Sequence, residues 1–357
     1  MDAPTLTAPL RLGVLDQSPV SEGSTGAQAL RNTIDLARLA ERLGFGRYWV
    51  AEHHGGPLLA GASPEALIGP IAAATSRMRV GSGGVMLPHY SPLKVAESFS
   101  VLAGLFPGRI DLGIGRAAGT DPTTTYALRR NREAGSPDDF PQQLAELMAY
   151  LRDKIPDDHP FRRLTALPGL PEAPELWLLG SSAQSAIWAA ELGLPYAFAD
   201  FINAEGAAHA AYYREHYTPS AAHPEPRVIA AVSTICAETD EEAELLATSV
   251  TMAMRLLRRG HLIPLPTPEA AARFIEEERM RRAASDDPRP RRSARRMVVG
   301  SPGVVRAGLE AAAAAYGAQE LLLVTITHDH AARRRSYELV SEAFALAPEA
   351  RVASRSA

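Results

Sequence analysis

The chain has 357 residues, 46% hydrophobic and 22% charged, a globular composition long enough for one large α/β domain or two ordinary ones. Its formal charge of -4 excludes a global attraction to nucleic acid or to an anionic membrane surface. With Cys236 as the only cysteine and Lys94 and Lys154 as the only lysines, there is no intrachain disulfide, no cysteine-rich zinc site and no strand-tip Schiff base.

Residues 1–10 have neither a basic start nor an apolar run, and no apolar stretch of about 18 residues follows. The expectation is a soluble cytoplasmic protein with no membrane or nucleic-acid partner. Residues 10–15 are an apolar run ending in Asp16-Gln17-Ser18-Pro19, which predicts a first strand with a polar tip. Thr25 and Gln28 have capping-box spacing, Leu36, Leu39 and Leu43 recur at helical intervals, and Gly44 is a natural stop. The stretch Arg47-Tyr48-Trp49-Val50-Ala51 then has strong strand preference and ends in Glu52, His53 and His54. Ser63-Pro64 and Ser91-Pro92 each set a cap and a first-turn proline for a helix, the second ended by Pro107-Gly108. Between them residues 78–87 form a glycine-rich strand, and residues 109–115 form another, with Arg116 at its tip.

A polar excursion over residues 117–137 precedes a helix predicted over 140–155 and a proline-rich connection to 174. Residues 176–179 lead into Gly180-Ser181-Ser182 and a helix that ends at Gly193. Residues 196–202, with Asp200 near the tip, and 228–235 supply the sixth and seventh strands. Residues 240–259 are a helix with Glu241, Glu242 and Glu244 near its start and Arg255, Arg258 and Arg259 near its end, which suits its dipole. Residues 261–300 read as an irregular insert, and the arginine-rich part, 279–296, as a mobile lid without the aromatic residues that nucleic-acid binding needs. Ser301-Pro302 opens a further helix, 320–327 is the eighth strand and 332–345 the last helix. Eight alternating strand-helix units predict a single-domain α/β (β/α)8 TIM barrel with insertions after strands 4 and 7, a doubly wound open sheet being the alternative.

In such a barrel the carboxyl ends of the strands floor the active site. That gathers Asp16, Gln17, Glu52, His53, His54, Gly83, Gly84, His89, Arg116, Ser181, Ser182, Asp200, Thr325 and Thr327 on one face. The set suits an anionic ligand. Arg116 offers a planar fork of donors, and Ser181-Ser182 opens a helix whose free N–H groups attract phosphate, with Ser185 one turn along. Each serine alone also suits an N-cap. At the second tip an imidazole can carry proton chemistry, or it can simply make a satisfied hydrogen bond. The run Gly113-Ile114-Gly115-Arg116-Ala117-Ala118 matches a dinucleotide fingerprint, but Gly119-Thr120-Asp121-Pro122 interrupts the helix that fingerprint requires. No His-x-His pair stands at the first tip, so no metal is expected.

Four motifs together, Trp49-Val50-Ala51-Glu52-His53-His54, Val80-Gly81-Ser82-Gly83-Gly84-Val85-Met86-Leu87-Pro88, Gly108-Arg109-Ile110-Asp111-Leu112-Gly113-Ile114-Gly115-Arg116 and Leu179-Gly180-Ser181-Ser182-Ala183-Gln184-Ser185, resemble the bacterial luciferase-like flavin monooxygenases. The resemblance implies a barrel that binds FMN at its carboxyl end and a homodimer formed through helices two and three. It also implies reduced FMN supplied by a separate NAD(P)H-dependent flavin reductase, with molecular oxygen as cosubstrate. Arg116, Ser181, Ser182 and Ser185 fall where the family holds the flavin phosphate, Gly83-Gly84 where it has a cis peptide beneath the flavin ring, and His53 where luciferase has its catalytic base. Gly115 replaces a reactive cysteine of luciferase and Ser181 an acid, so light emission is not inferred. The expected activity is an FMN-dependent monooxygenase acting on an apolar or aromatic small molecule. A deazaflavin-dependent hydride-transfer oxidoreductase and a non-enzymatic flavin-sequestering protein are the alternatives.

Overall fold

A computed structural model describes residues 9–116, 121–128, 139–152, 155, 157, 159–164, 167–203, 205–283 and 297–348. Its strands are β1 (Arg11–Asp16), β2 (Arg47–Val50), β3 (Arg79–Met86), β4 (Ile110–Gly115), β5 (Glu175–Gly180), β6 (Tyr196–Ala199), β7 (Val228–Cys236), β8 (Met297–Gly300) and β9 (Glu320–Val324). The helices are α1 (Gly26–Leu43), α2 (Pro64–Ala74), α3 (Pro92–Leu105), α4 (Pro122–Leu128), α5 (Phe140–Leu151) and α6 (Ala183–Glu191). They continue with α7 (Ala207–Glu215), α8 (Asp240–Leu257), α9 (Pro268–Ala283), α10 (Pro302–Tyr316) and α11 (His330–Phe344). All strand pairings are parallel. The order β6-β5-β4-β3-β2-β1-β9-β7, closed by β6 on β7, makes the expected eight-stranded (β/α)8 barrel.

Alternation along each strand sorts the side chains into two cores. Leu12, Val14, Tyr48 and Val50 point outward and pack under the helices with Leu36, Ile68 and Ile71. Leu15, Trp49, Trp177, Ile229 and Leu322 point inward and fill the barrel, where the two indoles meet edge-to-face at 5.6 Å. At the amino end a charged plug closes the barrel. Arg47 donates to Glu320 at 2.7 Å and to Asp111, and its guanidinium lies 5.0 Å over the Trp177 ring. Burial would favour the neutral arginine, but Asp111 and Glu320 more than offset it and raise the Arg47 pKa. The helix boundaries follow the sequence signals. Thr25 accepts from the Gln28 N–H at 3.1 Å, and Gly44, at φ 92°, ends α1 in the left-handed conformation. Ser63 and Ser91 precede prolines as expected but make no side-chain cap bond.

Three features differ from the sequence reading. Helix α4 stands in the polar excursion. The ninth strand, β8, pairs with Ser233–Cys236 at the end of β7, of which only Ser233 also pairs with β9, so it lies outside the closed ring. The stretch read as an irregular insert contains α9, which docks on α8 through the buried Glu278. That carboxylate takes Arg255 Nη1 at 3.0 Å and also Arg259, arginines whose place near the end of α8 suits its dipole as well. Residues 284–296, most of the arginine-rich segment, lie outside the described residues. The segment before α9 is stitched across the barrel mouth: Leu265 N–H donates to Val20 C=O and Glu22 N–H to Leu265 C=O, both at 2.8 Å, while Val20 N–H donates to Leu58 C=O at 2.8 Å. Among the described residues no helix is long and apolar enough to cross a membrane.

Candidate active site

β2 runs from the plug at Arg47 to the tip Glu52-His53-His54, so its strand preference delivers these three polar residues to the open end. The His53 backbone N–H donates to Gly61 C=O at 2.8 Å, which fixes the tip against the following loop. His53 Nδ1 is buried and has no partner among the described residues. Burial, and after it the neighbouring His54, hold its pKa down to about 4, so the imidazole is uncharged at neutral pH. Glu52 is 1% exposed and collects three donors: His54 Nε2 at 2.8 Å, Met86 N–H at 2.9 Å and Tyr90 OH at 3.0 Å. Burial nonetheless pushes its carboxyl pKa up. Two strand tips are joined through one carboxylate, since Met86 ends β3 and Tyr90 follows it.

β3 and β4 present bare backbone beside this tip. The Gly83-Gly84 peptide is cis. A Cβ at Gly84 would lie 2.7 Å from Gly113 C=O, and one at Gly83 would collide with Leu15 and Trp49. Glycine is therefore a packing requirement here. At the tip of β4 the exposed Arg116 lies with its guanidinium 5.5 Å over the Trp188 ring of α6, and Trp188 itself stacks on Phe140 of α5 at 5.3 Å. Arg116 thus lies against α6, the helix that Ser181-Ser182 opens, at its sixth residue.

The start of α6 is held by its carbonyls. Asn203, just beyond β6, donates through Nδ2 to Ser181 C=O at 3.0 Å, and Ser185 Oγ donates to Ser182 C=O at 2.8 Å. A peptide C=O and the N–H that follows it point in opposite directions, so these bonds turn the Ser182 and Ala183 N–H groups the other way. Ser182 caps in an extended conformation with no side-chain cap bond, and its side chain is exposed. Ser185 is placed differently from Ser182. It is buried and 3.1 Å from Tyr196 OH, so its hydroxyl orients backbone and is not presented at the surface. Asn203 was missed in the sequence, where only its place after a predicted strand singled it out.

Several predicted tip residues do not join the cluster. Asp16 faces the helices, where Arg333 Nη2 donates to it at 2.6 Å and Tyr48 and Ser18 N–H add bonds. Burial works against its ionised form, but Arg333 outweighs it and the pKa is lowered. Asp200 Oδ1 accepts from Tyr316 OH at 2.8 Å, and Thr327 Oγ1 donates to Asp329 C=O at 2.8 Å. These side chains fasten strands to α10 and α11.

Residues 10–320 match the family profile described as luciferase-like monooxygenase. The chain is 47% identical to protein YwcH of Bacillus subtilis, covering 94% of this chain and 99% of that one. It is 40% identical to the N-acetyl-S-alkylcysteine monooxygenase of the same organism over 75% and 80% of the two chains. The crystal structure of apo-MsnO8 superposes with a TM-score of 0.83 at 44% identity, covering 96% of this chain and 99% of that one. With its barrel and its polar strand tips, the chain belongs to the luciferase-like monooxygenase family and is an oxidoreductase.

Proposed function

We propose that this protein is the oxygenating component of a two-component system, taking reduced FMN from a separate NAD(P)H-dependent flavin reductase and using molecular oxygen to oxidise an apolar or aromatic small molecule. The observation that carries the reading is the meeting of Arg116 with α6, whose first N–H groups are turned away from the carbonyls that Asn203 and Ser185 hold. Reduced FMN, when bound, supplies the electrons that activate oxygen. Arg116 and the N–H groups beside Ser181 and Ser182 hold its phosphate, and the sector at Gly83 and Gly84 receives its ring. Ser185 contributes by fixing Ser182. His53, uncharged and with Nδ1 unpartnered, accepts a proton during turnover and acts as the catalytic base. The inward apolar layer of Trp49, Leu15 and Leu322 limits water below the site.

The relative named for N-acetyl-S-alkylcysteines supports a small organic substrate with an apolar arm. A homodimer through α2 and α3 is part of the proposal, and Val101 and Leu105, 45% and 66% exposed on α3, are the apolar surface it would cover. The test is oxygen uptake and product formation with reduced FMN, against a reduced deazaflavin, over a panel of S-alkylcysteines, aldehydes and aromatic compounds. Oxygen-independent turnover with the deazaflavin alone would overturn the FMN reading.

A further inference from the structure

His89 closes the 3-10 turn Leu87–His89 that follows β3, at the same barrel face as His53. Both its ring nitrogens are buried, and neither has a partner among the described residues. The ring meets His54 edge-to-face at 6.1 Å and Tyr90 at 6.4 Å, while His54 Nε2 and the Tyr90 hydroxyl are both engaged with Glu52. Helix α5 packs against this turn and carries the buried Gln143. Its Nε2 donates to Asp139 at 3.0 Å, and its Oε1 is again buried and unpartnered. Buried polar atoms are paired in the great majority of cases, and this turn and the helix packed against it leave three unpaired, a place where a bound group could be held.

The chemistry of the orphans discriminates among the acyl groups a small substrate can carry. Burial, with His54 beside it, keeps His89 uncharged, so its ring offers one N–H and one lone pair. Gln143 Oε1 is an acceptor. A carboxylate brings acceptors only and would add a second negative group beside Glu52; an ester has no N–H for an acceptor to take. An amide has both a carbonyl and an N–H. We propose that His89 is a specificity-determining residue that binds a carboxamide group of the substrate, its ring N–H donating to the amide carbonyl while the amide N–H meets an acceptor of the same junction, for which Gln143 Oε1 is the candidate. This rests on the FMN monooxygenase reading for what lies beside the amide, and it specifies which small molecules that site takes.

The test uses three probes matched in size, N-benzylacetamide, benzyl acetate and 3-phenylpropanoate, titrated calorimetrically into the full chain loaded with FMN. The wild type should bind the amide about tenfold more tightly than the ester or the acid, the scale of one or two buried hydrogen bonds. His89→Phe, which keeps an aromatic ring, should lose that preference, and His89→Gln, which restores a donor and an acceptor, should regain part of it. Wild-type preference for ester or acid, no amide binding at the solubility limit, or a preference that survives His89→Phe overturns the proposal. FMN affinity is measured first on each protein. If the wild type fails to bind FMN, the cofactor reading fails and the same preference must then appear in the free protein; normal FMN binding without amide preference refutes the role of His89 alone.

Discussion

Replacing His53 by Asn removes a titrating group while keeping a polar side chain of similar reach, and the structure fixes how stability should respond. In the unfolded chain a histidine takes its proton near its ordinary pKa of 6.5, but burial and His54 delay this in the folded protein to about 4. As pH falls from 6.5 toward 4 the unfolded state gains protons that the folded state refuses, so stability is lost across that window and is fully retained above it. Between about pH 7.5 and about pH 5 the difference is worth about 2 kcal/mol, rising toward about 3 kcal/mol below pH 4. Urea unfolding of wild type and His53→Asn at both pH values measures it: the variant should lose about 2 kcal/mol less on acidification. An identical loss in both proteins would mean that His53 is solvated in solution and protonates freely. On the same preparations, the catalytic reading expects His53→Asn to retain FMN affinity and to lose on the order of 10² to 10⁴ in product formation. A variant that is less stable at all pH values yet fully active would instead make His53 an anchor of the strand tip.

Arg116→Ala should weaken FMN binding by roughly 2 kcal/mol and leave riboflavin binding unchanged, because the contact is to phosphate; a fluorescence titration with both ligands decides it. Asn203→Asp cannot donate to Ser181 C=O. It should reduce the preference for FMN over riboflavin several-fold, and an unchanged ratio would show that the α6 start holds its shape alone. Arg333→Met leaves Asp16 buried without its cation and should cost about 3–5 kcal/mol by chemical denaturation, while Arg333→Met with Asp16→Asn should recover part of that; equal losses would mean the pair is not coupled.

The barrel and the β2 tip were legible because they follow from local rules. Tyr48-Trp49-Val50 prefers a strand, Thr25 and Gly44 bracket a helix, and a strand tip in this fold points into the site. Arg116 at the β4 tip meets α6 at Trp188, as adjacent strand-helix units of a barrel allow. The orientation of Asp16 was not legible, because both faces of a barrel strand are apolar and only the tertiary partner Arg333 shows which face Asp16 shares with Leu12 and Val14. The burial of Ser185 is not legible in the sequence, because its partner Tyr196 comes from the next strand. Helix α9 has no strong apolar stripe to announce it; Glu278 and the arginines of α8 hold it, and ion pairs across 19 to 23 residues leave no periodic trace.

The crowding between β3 and β4 also sets where this enzyme can change by mutation. Side chains added at Gly83, Gly84 or Gly113 would run into Leu15, Trp49 or the neighbouring strand's own backbone, obstacles that a rotamer change cannot clear in the last case. Drift and laboratory selection alike are barred from that sector. If His89 sets substrate preference as proposed, the turn that carries it is where a new substrate range would arise. Libraries aimed there should yield folded variants, whereas libraries aimed at the glycines should return mostly wild type.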